Sequence, residues 1–219
     1  VLSTDKRKIL KIIVVSTLEA TDNGRLVLEG NRRVLRSRLR DANFFYEKDL
    51  ADIENKKFSG LNTRLENVIF HNKIGSQADR VSGIRKISIR IASLLKTDPQ
   101  LCDQAAELCK TDLTTKVVSE FPELQGIVGG LYSKREGQSE VIYTAVANHY
   151  QPITQNDIVP KEMVSTVVAI ADRIFTLTSF WEIGEKPSGS KDPFALRRSA
   201  IGLIRILIEK HLNLHLITD

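Results

Sequence analysis

A mainly α-helical domain preceded by a small strand-containing segment is the fold class this sequence predicts. Three observations carry that expectation. Apolar residues recur three or four apart through most of the chain after residue 28, the spacing that places them on one helix face. The one long β-branched run bounded by polar residues lies near the start, at Lys8–Glu19. Turn signals rich in Gly, Pro, Asn and Asp fall between the periodic stretches.

Taken in order, KILKIIVVSTLE (residues 8–19) reads as a strand, and TDNGR as a turn marked by Asn23-Gly24. A helix follows, with Val34, Leu35, Leu39, Ala42, Phe45 and Tyr46 forming its apolar stripe. Residues 62–96 suggest two further helices, with Gly75 and Gly83 as the points where a helix ends or bends. Asp98-Pro99 is a helix start: Asp as N-cap, Pro with its preset φ at the first helical position. DPQLCDQAAELCKTDLTTKVVSEF then reads as one or two helices, and PELQGIVGGLYSKR as another after Pro122. Ser139–Tyr150 is a helix, and Met163–Gly184 a long and very apolar one, expected at the centre. Behind a Gly/Pro/Ser loop comes the last helix, with Asp192 to cap it and Pro193 at its first position.

The chain has 219 residues, 42% hydrophobic and 27% charged, with net charge +5. A core of this size needs no disulfide or metal to hold it. Cys102 and Cys109 lie seven apart on one helix face; lacking CxxC spacing, they are expected to be packed, reduced thiols. With no signal peptide and no apolar run approaching about 20 residues, neither secretion nor membrane spanning is expected. Met163 is the only methionine, and the sequence stops in helical-looking HLNLHLITD. A piece of a longer polypeptide is the expectation.

Several motifs can be tested on spacing. Gly184 and Gly189 have the separation of a phosphate-binding loop, but Ser190 stands where the lysine is needed and a helix precedes the loop. A helix-connecting loop is the reading. In the following helix, Arg198 and Arg205 share a face with Gly202 between them; either a close approach or an Arg205–Glu209 pair at i,i+4 would account for the strip. Arg25, Arg32, Arg33, Arg36, Arg38 and Arg40 face only Glu29 within residues 25–40. Arginine rather than lysine suits bidentate contact with phosphate or carboxylate, so RNA contact and intramolecular pairing are both open. His211 and His215 are i,i+4 without the Glu of HExxH, no GxSxG occurs, and no His-Asp dipeptide occurs. Asp112 and Asp172 are acids in apolar helical surroundings, where a carboxylate is paired, capped or a metal ligand.

The stretches GNRRVLRSRLRDANFFYEKDL, FHNKIGS, DRV, CKTDLTTKVV, EFPELQGIVGGLYS, ANHYQPITQNDIVP, AIADRIFTLTSFWEIGEKPSGSKDPFALRRSAIGLIRILIEK and LNLHL occur in this order. Together they resemble the beta subunit of bacterial glycyl-tRNA synthetase, the tetrameric alpha2beta2 type. The resemblance runs from about residue 28 to the end; before it, only VLST and IIVVS are similar.

The resemblance implies an HD-domain-like helical bundle over residues 28–219, preceded by the end of a strand-containing segment over 1–27. The C-terminal anticodon-binding domain of the family is expected to be absent. In that family the alpha subunit carries the class II active site, which activates glycine with ATP and Mg, and the beta subunit serves tRNA binding and assembly. No cofactor is therefore expected in this segment. The expected partners are the alpha subunit and tRNA(Gly), in the cytoplasm, with no membrane. An active HD hydrolase holds a metal with His…His-Asp…Asp. Here Asp112 is similar to the Asp of the pair, Thr111 replaces its His, and Asp172 is similar to the final Asp. Two carboxylates without the histidines make a weak transition-metal site, so no catalytic residue and no metal ligand set is assigned. The alternative is a metal-dependent phosphohydrolase with a divergent site. Arg32, Arg33, Arg36, Arg38, Arg40, Arg197 and Arg198 are the expected tRNA-phosphate contacts, positioning the RNA rather than reading bases.

Overall fold

The computed structural model describes residues 12–17 and 19–214. The chain divides into two compact units, residues 1–47 and 48–219. In the first unit, residues 12–17 and 19 form no strand. Ladder hydrogen bonds need a partner strand, and the described residues of this unit supply none; the rest of the expected Lys8–Glu19 strand lies outside the described residues. The Asn-Gly turn forms as expected, Asn23 and Gly24 both taking positive φ (56° and 78°). Asp22 accepts from the backbone N–H of Gly24 and Leu26 at 3.1 and 2.8 Å, satisfying free donors at the start of helix α1, Arg25–Lys56. Most of α1 belongs to the first unit.

The second unit is a helical bundle. The last turns of α1 carry Asp49, buried, whose carboxylate accepts from the N–H of Lys116 (2.7 Å) and Val117 (2.9 Å) and from the Tyr132 hydroxyl (3.1 Å). The expected helix after residue 62 is instead a 3-10 segment, Ser59–Asn67, followed by a small antiparallel hairpin, β1 (Ile69–His71) and β2 (Gly75–Ser76). Gly75, at φ +125°, breaks the pattern as foreseen. Helix α2, Gln77–Leu94, starts on a capping box between Ser76 and Asp79. Gly83 does not interrupt it: a Cβ there would stand 2.2 Å from the Phe175 ring, so the glycine permits close packing instead.

Helix α3, Pro99–Leu108, begins as predicted, with Asp98 accepting from the N–H of Gln100 and Leu101. Cys102 and Cys109 are free and buried, and burial pushes both thiols up to about 12. A 3-10 turn, Thr111–Thr114, leads to α4 (Lys116–Glu120), α5 (Ile127–Arg135) and α6 (Glu140–Asn148). Helix α7, Met163–Glu182, is the central element; every residue from Val164 to Arg173 is buried. It packs against α2, α3, α6 and the last helix, α8 (Leu196–Glu209). Contrary to the composition reading, α7 is long and apolar enough to cross a membrane, but most of that stretch is buried inside the bundle. The start of α8 also differs from expectation. Ala195, at φ +52°, is the residue before the helix, and Pro193 lies outside it. Asp192 still does the capping, accepting from the N–H of Leu196 (2.8 Å) and Arg197 (3.0 Å).

Candidate functional site

Helical spacing places Arg32, Arg36 and Arg40 on one face of α1. All five expected contact arginines of this helix, Arg32, Arg33, Arg36, Arg38 and Arg40, are exposed. With Leu35, Leu39 and Phe44, Arg32, Arg36 and Arg40 line a shallow groove of about 550 Å³. Val34, Leu39 and Phe44 remain exposed beside them. Among the described residues, Arg32, Arg33, Arg36 and Arg40 make no ion pair; Arg38 is engaged elsewhere. The face therefore combines apolar stems with cationic heads, a chemistry suited to phosphate.

The other feature is buried in the bundle. Asp172 of α7 accepts from Arg80 of α2 through Oδ1 (2.8 and 3.1 Å) and from Lys110 Nζ through Oδ2 (2.8 Å). Lys110 is fully buried. Its three N–H groups have three acceptors: Asp172, His149 Nε2 at 2.9 Å, and the face of Tyr150 at 3.8 Å. For Nε2 to accept, His149 must carry its proton on Nδ1, which donates to Val146 O at 2.7 Å. Burial and then the Lys110 charge push the His149 pKa well below its ordinary value, so the ring stays neutral. Burial alone would raise the Asp172 carboxyl, but Arg80 and Lys110 together hold it well below the usual carboxylate range. Burial, then Arg80, push the Lys110 amine down to about 8 against the pull of Asp172. Next in α7, Arg173 donates to four carbonyls, those of His149, Ala169, Tyr150 and Pro152. Gly202 leaves room for it, since a Cβ there would meet Arg173 Nε at 2.7 Å.

Asp112 is engaged differently. Its Oδ2 accepts from the N–H of Gly126 (2.5 Å) and Gly129 (3.3 Å) at the start of α5, where a negative charge is favoured. Its Oδ1 has no partner, and burial pushes the carboxyl up to about 6. Thr111, the residue in the expected His position, hydrogen-bonds Asn62. The donors present thus do not suit a metal of the HD type. Both Asp172 oxygens and His149 Nε2 face cations, and Asp112 points to backbone amides. Among the described residues, no three His, Cys, Asp or Glu side chains gather as metal ligands do. Lys110, Arg80, His149 and Arg173 were not singled out from sequence; a lysine between two apolar helical turns was the available signal.

At the other sequence-marked positions, Arg197 and Arg198 are exposed. Arg205 is committed internally, to Glu209 at 2.9 Å and to the carbonyls of Thr154 and Asp157. The Gly184–Gly189 loop is a connector, with Ser188 and Lys191 bridged to each other.

The family model described as "Glycyl-tRNA synthetase beta subunit" matches residues 1–218. The chain belongs to the glycyl-tRNA synthetase beta subunit family. Among curated relatives, the glycine-tRNA ligase beta subunit of Dinoroseobacter shibae is 48% identical over 212 residues, covering 97% of this chain and 29% of that protein. The Cereibacter sphaeroides beta subunit is 47% identical over 201 residues, 92% of this chain and 29% of that protein. That of Ruegeria sp. is 45% identical over 210 residues, 95% of this chain and 31% of that protein. The chain thus spans about three-tenths of the length of the relatives it matches. Membership extends to residues before 28, where sequence alone showed little similarity.

Proposed function

We propose that this chain contributes tRNA(Gly) binding and subunit scaffolding to a glycine-tRNA ligase, with glycine activated by ATP and Mg at the alpha subunit. It performs no chemistry of its own on this reading, and it acts in the cytoplasm. The observation that carries the proposal is the exposed face of α1, where Arg32, Arg36 and Arg40 stand without carboxylate partners. Family membership supports RNA as the partner, and the unpaired arginines of the exposed face support the contact. Arg197 and Arg198 are proposed as further phosphate contacts. Duplex RNA hides its base edges in a deep, narrow major groove, so arginines on a helix face meet phosphates and riboses instead. Asp112 and Asp172 are proposed as the remnants of an HD-type site. Their present engagement with amides and cations supports scaffold use over hydrolysis.

Binding of glycine tRNA across a salt series tests this. The affinity is expected to fall steeply with salt, because each phosphate contact releases counterions. Arg36→Glu/Arg40→Glu should weaken binding at low salt and reduce the slope by about 2. An unchanged slope and affinity in the double variant would exclude the α1 face.

A further inference from the structure

We propose that the ammonium group of Lys110 is a resident cation, filling from within the chain a cation-binding site formed by Asp172, His149 and Tyr150. The inference rests on the geometry around Lys110 and not on the tRNA reading of α1.

A lysine that simply pairs with an acid needs one carboxylate. Lys110 has more. Fully buried, its Nζ meets Asp172 Oδ2 at 2.8 Å, His149 Nε2 at 2.9 Å and the Tyr150 ring at 3.8 Å, one acceptor for each of its N–H donors. Each of the two polar acceptors is also held from behind. His149 Nδ1 donates to Val146 O at 2.7 Å, which turns the Nε2 lone pair toward Lys110. Asp172 Oδ1 accepts from Arg80 at 2.8 Å, and the Arg80 guanidinium in turn lies over the Phe70 ring at 4.4 Å. An imidazole anchored through its other nitrogen to a carbonyl, beside a carboxylate anchored through its other oxygen, is how proteins orient the groups around a bound metal ion. Here the cation at the centre is an ammonium. The separations of 2.8 and 2.9 Å are those of N–H hydrogen bonds, well beyond the roughly 2.0–2.2 Å of zinc–nitrogen and zinc–oxygen bonds. A divalent ion would have to expel a tethered cation that cannot diffuse away. The reading of this chain as a metal-dependent hydrolase requires that displacement.

Chemical rescue tests the proposal. Lys110→Ala removes Cγ, Cδ, Cε and Nζ, which n-propylammonium replaces atom for atom. The variant is expected to unfold at a lower temperature than the parent chain. Adding about 100 mM n-propylammonium chloride should raise its unfolding temperature by about 3 °C or more relative to equal sodium chloride, as a site with Kd near about 10 mM gives. n-Propanol has the size without the charge, and tetramethylammonium the charge without N–H donors. Each should shift the variant by less than about 1 °C, and the parent should respond to none of the three. Absence of rescue, or equal rescue by n-propanol, overturns the proposal. Should Lys110→Ala not fold, nitrogen NMR of the parent at pH 7 decides. A slowly exchanging Lys110 ammonium and a His149 ring protonated on Nδ1 are expected; a neutral amine, or a ring protonated on Nε2, overturns the proposal. EDTA should leave the parent's unfolding temperature unchanged. A fall that zinc or manganese reverses, and that is absent in Asp172→Asn, would put a metal where the ammonium is proposed and overturn it. Failure here would leave the α1 salt-slope result untouched.

Discussion

Asp112 and Asp172 are two buried carboxylates with opposite electrostatics, and each makes a distinct prediction. The Asp112 carboxyl is pushed by burial to about 6 in the folded protein, above the ordinary value near 3.9 of an unfolded chain. Between those values the folded state binds more protons than the unfolded state, so this group's contribution rises as pH falls through 6 and is complete below about 4. Asp112→Asn removes the titration while keeping an acceptor for Gly126 and Gly129. Its stability relative to the parent is expected to be about 3 kcal/mol more favourable at pH 8 than at pH 4; denaturant unfolding at the two pH values reads the difference. Asp172 is depressed instead, so its contribution is present above about 4 and is lost on acidification. Asp172→Asn strands Arg80 and Lys110 and should cost about 3–5 kcal/mol at pH 7. Lys110→Met leaves Asp172 with Arg80 and removes an ammonium that burial disfavours, so it should cost less; the reverse order in unfolding experiments would contradict the charge account. Sequence marked both acids because their neighbours are apolar. It could not mark their partners: Arg80 and Lys110 lie 92 and 62 residues from Asp172, and periodicity carries no information at that range.

Helices were legible wherever an apolar stripe ran for several turns, as in α1, α6, α7 and α8. Pieces too short to show a period were not. The hairpin of β1 and β2 has only three and two residues, and the 3-10 segment before it shares the three-residue spacing that suggested a helix. Ser76-x-x-Asp79 is a readable start signal that went unused beside the more visible Gly75. Gly83 shows the limit of reading glycine as a breaker. Alanine there would gain about 1 kcal/mol of helix propensity, yet its Cβ would lie 2.2 Å from the Phe175 ring. Gly83→Ala is expected to destabilise by about 1–3 kcal/mol net, and Phe175→Leu in the same chain should recover part of the loss. Thermal unfolding of the single and double variants checks this. Asp49→Ala removes three hydrogen bonds to a buried carboxylate at α4 and Tyr132. A loss of about 3 kcal/mol is expected, with increased proteolysis near the end of α1.

For the molecule as a whole, fold class and family were both readable, the second because blocks of ordered similarity extend over most of the chain. The proposed site was readable only in part. Exposed arginines on α1 follow from spacing, whereas the interior charge centre is built by tertiary packing of α2, α6, α7 and the segment around Lys110. The proposed function separates binding from chemistry: it gives this chain a share in holding tRNA and puts glycine activation at the alpha subunit. That separation is tested most directly in the assembled ligase carrying Arg36→Glu/Arg40→Glu in the beta subunit, by measuring glycine-dependent ATP–pyrophosphate exchange alongside tRNA glycylation. The account predicts unchanged exchange, with glycylation reduced at least about tenfold through a raised KM for tRNA. A parallel fall in exchange, or glycylation indifferent to the substitutions, would contradict it.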